Sequence, residues 1–384
     1  MNNFYSYNPT KIIFGKNTIR NIAKEIPKDH NILMVYGRNS IKKNGVYDQV
    51  VDVLQGYNLK EFCGIESNPE YEMCLDVAKF ARSNNITFLL AVGGGSVIDA
   101  TKFISLATNV EEDPWLCLTG KLSYPTRVLP FGCIQTRPGT GSEMNNSFVI
   151  SRKGTDDKVV GSSLWAYPKF SVLDPETTLS LSPKQVANGI VDMFVHVLEQ
   201  YITYPTGAFL QERQAEALLF AIVEGGEAWL ENPGDYNVRA NIMWCSAQAL
   251  NGNLSRGVPC DWATHNIGHV ITALYGLSHA ETLAIILGRV WEIKRDQKLV
   301  KLIQYGRRIW GLTGSEDYVA NRAIAMTEAF FEKLGLATRF SAHGLCATEV
   351  ADRVSARFRT SGAKLGELAD IGYEQIKEII LLRQ

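Results

Sequence analysis

Asp192 and His196 stand four positions apart in GIVDMFVHVLEQY (189–201), and His265 and His269 repeat that spacing in DWATHNIGHVITALYG. At 3.6 residues per helical turn, positions i and i+4 project from one face, so each pair can aim at one point. His279 follows in the glycine-flanked GLSHAET, which places four of the six histidines between residues 196 and 279. A lone histidine on an apolar helix is usually a hydrogen-bonded core residue. Three segments rich in His and Asp within one region instead point to a metal site. Three imidazoles and a carboxylate suit a borderline ion such as Fe²⁺ or Zn²⁺ and suit Mg²⁺ or Ca²⁺ poorly, because those prefer oxygen. Five candidates exceed a shell of about three or four protein ligands. One histidine is therefore left for proton relay or for a place behind the ligands.

A second chemistry is written in the glycines. LLAVGGGSVIDATKF (89–103) runs from an apolar strand through Gly93, Gly94, Gly95 and Ser96 into a helix carrying Asp99 and Lys102. Glycine lets backbone approach a ligand closely, and the N–H groups and positive end of the following helix favour phosphate. The loop is neither GxGxxG nor a Walker A sequence, and alone it could be a tight strand-to-helix turn. QTRPGTGSEMN (135–145) adds Thr136, Thr140, Ser142 and Asn145 after a later strand. Two polar glycine loops at the ends of different parallel strands suit a nucleotide lying across the carboxyl edge of a sheet. In VYGRNSIKK (35–43), Gly37, Arg38, Asn39 and Ser40 precede Lys42 and Lys43 with no carboxylate. Sites that choose NAD place an acid after the second strand, so this segment favours NADP, the bland alternative being a solvated basic helix start.

The elements that must hold these groups fall into two halves. Strand-like runs at 31–37, 61–65, 87–95 and 127–136 alternate with helical patterns through about residue 175, which predicts a parallel sheet covered on both faces. Beyond FSVLDPETTLSLSPKQ the β-branched runs stop, and nine helical patterns follow from 184 to 383, the first opened by Ser182 and Pro183. The expected division is an α/β cofactor-binding domain over 1–178 and an all-helical metal-binding domain over 179–384. Composition agrees with a soluble globular protein: 384 residues, 46% hydrophobic, 21% charged and a formal net charge of −1. That charge gives no case for nucleic acid or an anionic membrane. The N-terminal segment has no apolar signal core, and no apolar run reaches the roughly 20 residues needed to span a bilayer, so a cytoplasmic protein is expected. Seven scattered cysteines without a CxxC pair suggest neither disulfides nor a thiolate zinc site.

Taken together, DxxxH at 192–196, HxxxH at 265–269, His279 and GGGS at 93–96 resemble the iron-containing, group III alcohol dehydrogenases. NPEYE (68–72), RANIMWCSAQALNG (239–252) and PCDWATHNIGH (259–269) resemble the NADPH-dependent butanol dehydrogenase and aldehyde reductase branch of that family. The likeness runs from KIIFG at 11–15 to the last helix. It implies a Rossmann-like α/β domain followed by an all-α domain, the dehydroquinate synthase-like fold, with a divalent metal in the cleft between them. It further implies Asp192, His196, His265 and His279 as metal ligands and His269 as a histidine that helps move protons near the nicotinamide. Gly94, Gly95, Ser96 and Asp99 match the pyrophosphate and ribose contacts, Thr136, Asn145 and Lys158 match further cofactor positions, and residues 37–40 match the 2′-phosphate pocket. The implied activity is reversible reduction of short- or medium-chain aldehydes by NADPH, in a homodimer formed partly through the N-terminal strand.

Two segments depart from the family pattern. Arg38 and Asn39 replace glycines of a usual YGGGS, so Arg38 either grips the extra phosphate or crowds it. Arg137 and Pro138 interrupt a usual TTAGTGSE. Two other classes compete: a metal-dependent lyase or hydrolase acting on a phosphorylated substrate, and a non-catalytic metal-binding protein, against which the paired glycine loops argue.

Overall fold

NILMVY and FLLAVG show no alternation of polar and apolar residues because both faces of the strands they form are covered. These are β2 (Asn31–Tyr36) and β4 (Phe88–Gly93), buried almost throughout. In the computed structural model, which describes Met1–Gln384, they are central strands of a six-stranded sheet. Its other members are β1 (Lys11–Phe14), β3 (Asn58–Cys63), β5 (Phe131–Gln135) and β8 (Phe170–Leu173), in the order β1-β8-β5-β4-β2-β3 with every pair parallel. Helices Tyr71–Ser83 and Gly95–Ala107 bury Val77, Ile98, Phe103 and Ile104 in the core on one face of this unit. Helix Val46–Val53 and the segment around Ile19 and Ile22 close the other.

From β2 the chain crosses to β3 on one side, whereas β4 lies on the other and leads to β5 and β8. The order reverses between β2 and β4, and the crevice outside their carboxyl ends is where open α/β sheets bind ligands. Gly37 follows β2, and Gly94 to Ser96 follow β4. The remaining strands, β6 (Ser147–Arg152) and β7 (Asp157–Ser162), form an antiparallel hairpin that the sequence reading missed. Phe148 of β6 packs its ring on Phe103.

The chain divides into two compact units. One comprises Tyr7–Ser182 and Pro233–Ala247; the other comprises Pro183–Asn232, Gln248–Gln384 and Met1–Ser6. This is not a single cut after residue 178. Helix Tyr236–Ala249 joins mostly with the α/β unit because Met243 and Ala247 pack on Leu173, Trp244 meets the edge of Phe14, and Ser246 Oγ accepts from Gly139 N at 2.6 Å. The second unit is helical, built chiefly on Pro183–Tyr201, Phe209–Glu231, Ala263–Tyr275, His279–Ile293, Arg295–Ile309, Glu316–Lys333, Ala347–Ser361 and Tyr373–Leu381. No helix is long and apolar enough to cross a membrane.

The α/β unit also contains a buried polar network. Lys102 donates to Asn145 Oδ1 (2.8 Å) and Ser147 O (2.7 Å), while Gln135 Nε2 donates to Glu143 Oε2 (2.8 Å). Glu143 Oε1 has no hydrogen-bond partner, and burial raises its carboxyl pKa. A folded pKa above the unfolded one favours folding at low pH, and that contribution is lost as pH rises through the folded value. Glu143→Gln removes the charge at constant shape. Its stability relative to wild type, measured by urea unfolding, is expected to improve as pH rises above the ordinary glutamate pKa of about 4.3; a difference that does not change with pH would contradict this.

Candidate active site

The helix Pro183–Tyr201 is buried on every side from Val186 onward, which leaves the polar side chains within it no water to turn to. Asp192 and His196 lie on it, His265 lies in the first turn of Ala263–Tyr275, and His279 opens His279–Ile293 behind a capping box of Ser278 and Glu281. From three helices the imidazoles converge on one oxygen: Nε2 of His196, His265 and His279 lie 3.8, 3.9 and 3.9 Å from Asp192 Oδ1. These separations are too long for hydrogen bonds. They suit donors around a common ion, since two ligand atoms about 2.1 Å from a tetrahedral centre stand roughly 3.4 Å apart. Ligand atoms of Asp192, His265 and His279 all fall within 4.8 Å of one another. His265 Nε2 is buried and without a hydrogen-bond partner. The N₃O donor set therefore fits a divalent ion such as Fe²⁺ or Zn²⁺.

His269 sits one turn beyond His265 and stacks its ring on His279 at 4.7 Å and 26°. It is buried beside the four converging groups. At 22% side-chain exposure against 7–9% for the other three, His279 is the most open member of the cluster.

The residue that the sequence reading missed is Glu199. One turn beyond His196 on the same helix, its carboxylate accepts from the backbone N–H groups of Thr264 (2.7 Å) and His265 (3.3 Å) and from His265 Nδ1. It caps the neighbouring helix and orients the imidazole together. Burial works to lower the pKa of His265, but the charge and hydrogen bond of Glu199, with help from Asp192, raise it to about 9. Asp261 supplies a further cap, accepting from Ala263 N at 3.1 Å, and is itself paired with fully buried Lys298 at 2.8 Å. Lys298 also holds Glu367 (2.9 Å) and donates to Ile202 O (2.9 Å). Between Asp261 and the helix, Trp262 adopts a left-handed backbone at φ 56° and turns the edge of its ring to His265. The only sequence hint of Glu199 was its spacing, three residues after His196.

In the α/β unit the glycines at the end of β4 are required by contact. A Cβ on Gly95 would lie 2.3 Å from Thr140 Oγ1, and one on Gly94 would lie 2.9 Å from Arg137 Cβ. The two glycine loops are thus packed together, joined also by Thr136 N donating to Gly93 O at 3.0 Å. Gly94 caps the 13-residue helix Gly95–Ala107 without any side chain on its N–H groups, and Ser96 is in the first turn. A dinucleotide phosphate fits there. Asp99 accepts from Ser142 Oγ (2.5 Å) and Val149 N (3.0 Å), leaving each oxygen a further lone pair for a ribose hydroxyl. Burial raises its pKa against the opposing effects of Lys102, these two bonds and Lys158 on β7. Asn145 is engaged internally, donating to Gly141 O and accepting from Lys102 and Ser147 N. Gly37, Arg38 and Asn39 lead from β2 into a single helical turn that starts at Ser40.

Residues 9–175 match the family described as iron-containing alcohol dehydrogenase, and residues 186–381 match the C-terminal domain of that family. The chain belongs to the iron-containing alcohol dehydrogenases and is an oxidoreductase. It is 48% identical to the NADPH-dependent aldehyde reductase YqhD of Escherichia coli K12, over 99% of each chain. It is 35% identical to the NADH-dependent butanol dehydrogenase B of Clostridium acetobutylicum, over 97% of each. The crystal structure of E. coli YqhD superposes with a TM-score of 0.97 at 47% identity, covering 100% of this chain and 99% of that one. These relatives are reductases and dehydrogenases, and nothing supports a lyase.

Two outcomes follow from this geometry. Glu199→Gln is expected to weaken metal binding about 10- to 100-fold, measured by competition with a chromogenic chelator; unchanged affinity would remove Glu199 from the site. Gly95→Ala must push Thr140 away and is expected to weaken nicotinamide dinucleotide binding at least about tenfold in a fluorescence titration, with the metal content unchanged.

Proposed function

We propose that this protein is a metal-dependent, NADPH-linked reductase of short- and medium-chain aldehydes that also oxidises the corresponding primary alcohols. The observation that carries the reading is the convergence of three imidazole Nε2 atoms on Asp192 Oδ1. When bound, a divalent ion would supply Lewis acidity to the carbonyl oxygen and NADPH would supply the hydride. Asp192, His196, His265 and His279 would hold the ion, which is either Fe²⁺ or Zn²⁺ on ligand chemistry.

The chain's own groups account for the rest. Glu199 accepts from His265 Nδ1, which turns Nε2 toward the point where the four side chains converge. Gly94, Gly95 and Ser96 present backbone N–H groups to the pyrophosphate, while Asp99, Thr136, Asn145 and Lys158 shape the surrounding site. Gly37 to Ser40 receive the adenosine end. His269, stacked on His279, delivers a proton to the product oxygen. Burial of Asp192, His196, His265 and His269 keeps bulk water from this chemistry. The lack of any membrane-spanning helix and the family resemblance support a cytoplasmic enzyme. Edge strand β1, with Phe14 exposed, supports a homodimer formed partly through the N-terminal strand.

The test is a steady-state assay of metal-analysed protein with butanal, comparing NADPH with NADH before and after chelation. Turnover favouring NADPH that vanishes on chelation and returns with Fe²⁺ or Zn²⁺ is expected; turnover indifferent to chelation would overturn the metal role. Asp192→Asn is expected to lose metal and activity together. His269→Ala is expected to retain metal but lower kcat at least about tenfold and change its pH profile.

A further inference from the structure

No acidic residue follows β2 along the chain, yet one stands there in space. Gly64 N and Ile65 N, just past β3, both donate to Tyr36 O at 3.2 Å, and Gly64 N also donates to Gly37 O at 2.9 Å. The turn is laid so closely on the β2 loop that a Cβ on Gly37 would meet Ile65 O at 3.3 Å, and Gly64 adopts φ +110°, open to glycine. This brings Glu66 to Arg38, whose Nη2 donates to Glu66 Oε1. Arg38 holds the Glu66 carboxyl below its usual pKa, so the acid is charged at neutral pH. Of the other cations, Lys153, whose charge also bears on Glu66, is paired with Glu70, and Lys42 Nζ stands 4.6 Å from the centre of the Tyr47 ring.

Resting on the proposed NADPH reading, we infer that Glu66 is a cofactor-selectivity residue. In an adjacent-strand arrangement, the acid that meets the ribose commonly comes from the strand beside the glycine-loop strand; here it comes one strand further out. A 2′-phosphate reaching Arg38 must displace Glu66, and the carboxylate opposes the incoming dianion. The 2′-hydroxyl of NADH meets the reverse situation, a carboxylate able to accept its hydrogen bond. Side-chain exposures of 76% for Arg38 and 38% for Glu66 make the exchange possible, because solvent-exposed ion pairs are weak. Glu66 thus narrows the preference for NADPH that Arg38 alone would create.

The experiment measures dissociation constants of NADPH and NADH for metal-loaded wild type, Glu66→Gln, Arg38→Gln and the double variant by nicotinamide fluorescence. Glu66→Gln is expected to tighten NADPH roughly three- to tenfold while NADH is unchanged or weakened. The gain should shrink when Arg38 is also replaced. Equal changes for both cofactors, or no change for NADPH, would overturn the role of Glu66 and leave the dinucleotide reading standing. Wild type binding neither cofactor would overturn that reading and this inference together.

Discussion

The carboxylate of Glu199 is the interaction on which the helical half depends. A helix start leaves N–H groups without intrahelical acceptors, and in a buried setting each needs a partner. Glu199 answers Thr264 and His265 from another helix and binds the imidazole that projects from that same turn. Backbone capping and imidazole orientation are therefore one contact. A carboxylate at the positive end of a helix dipole is also favourably placed. The left-handed Trp262 can persist because Asp261, Lys298 and Glu199 fix the chain on both sides of it.

The α/β half solves a different problem. Parallel strands buried on both faces fix the ends of β2, β4 and β5 in register, with Tyr36 opposite Val92 and Gly93 opposite Gln135. Rigid strand ends let three loops present backbone to one crevice. The glycines serve packing in their own right, since Gly95 must leave room for Thr140.

Local pattern carried a large part of this architecture into view. Helical period placed Asp192 with His196 and His265 with His269, and strand punctuation located Gly37, Gly94 and Thr136. The structure does bring Asp192, His196, His265 and His279 together, while sequence spacing alone could not say which histidine stands apart. What stayed hidden depends on contacts between distant residues. Glu199 reads as an ordinary charge near a helix end until residues 264 and 265 are seen beside it. Arg38 follows β2 and Glu66 follows β3, so a search for an acid after β2 passes over the pair. The helix 236–249 sits among other helical segments along the chain, and its contacts with Leu173, Phe14 and Gly139 assign it to the α/β unit. The left-handed tryptophan has no sequence signature at all, because its side chain disfavours that backbone.

The Lys298 cluster has a consequence for synthesis. Ordering the first turn around His265 draws on Asp261, which is neutralised through Lys298 in company with Glu367. A ribosome must therefore deliver residue 367 before the His265 turn has all its supports, whereas β1 to β8 are complete once residue 173 has emerged. The parallel sheet can therefore form early, while the turn that carries His265 gains its last support late in translation.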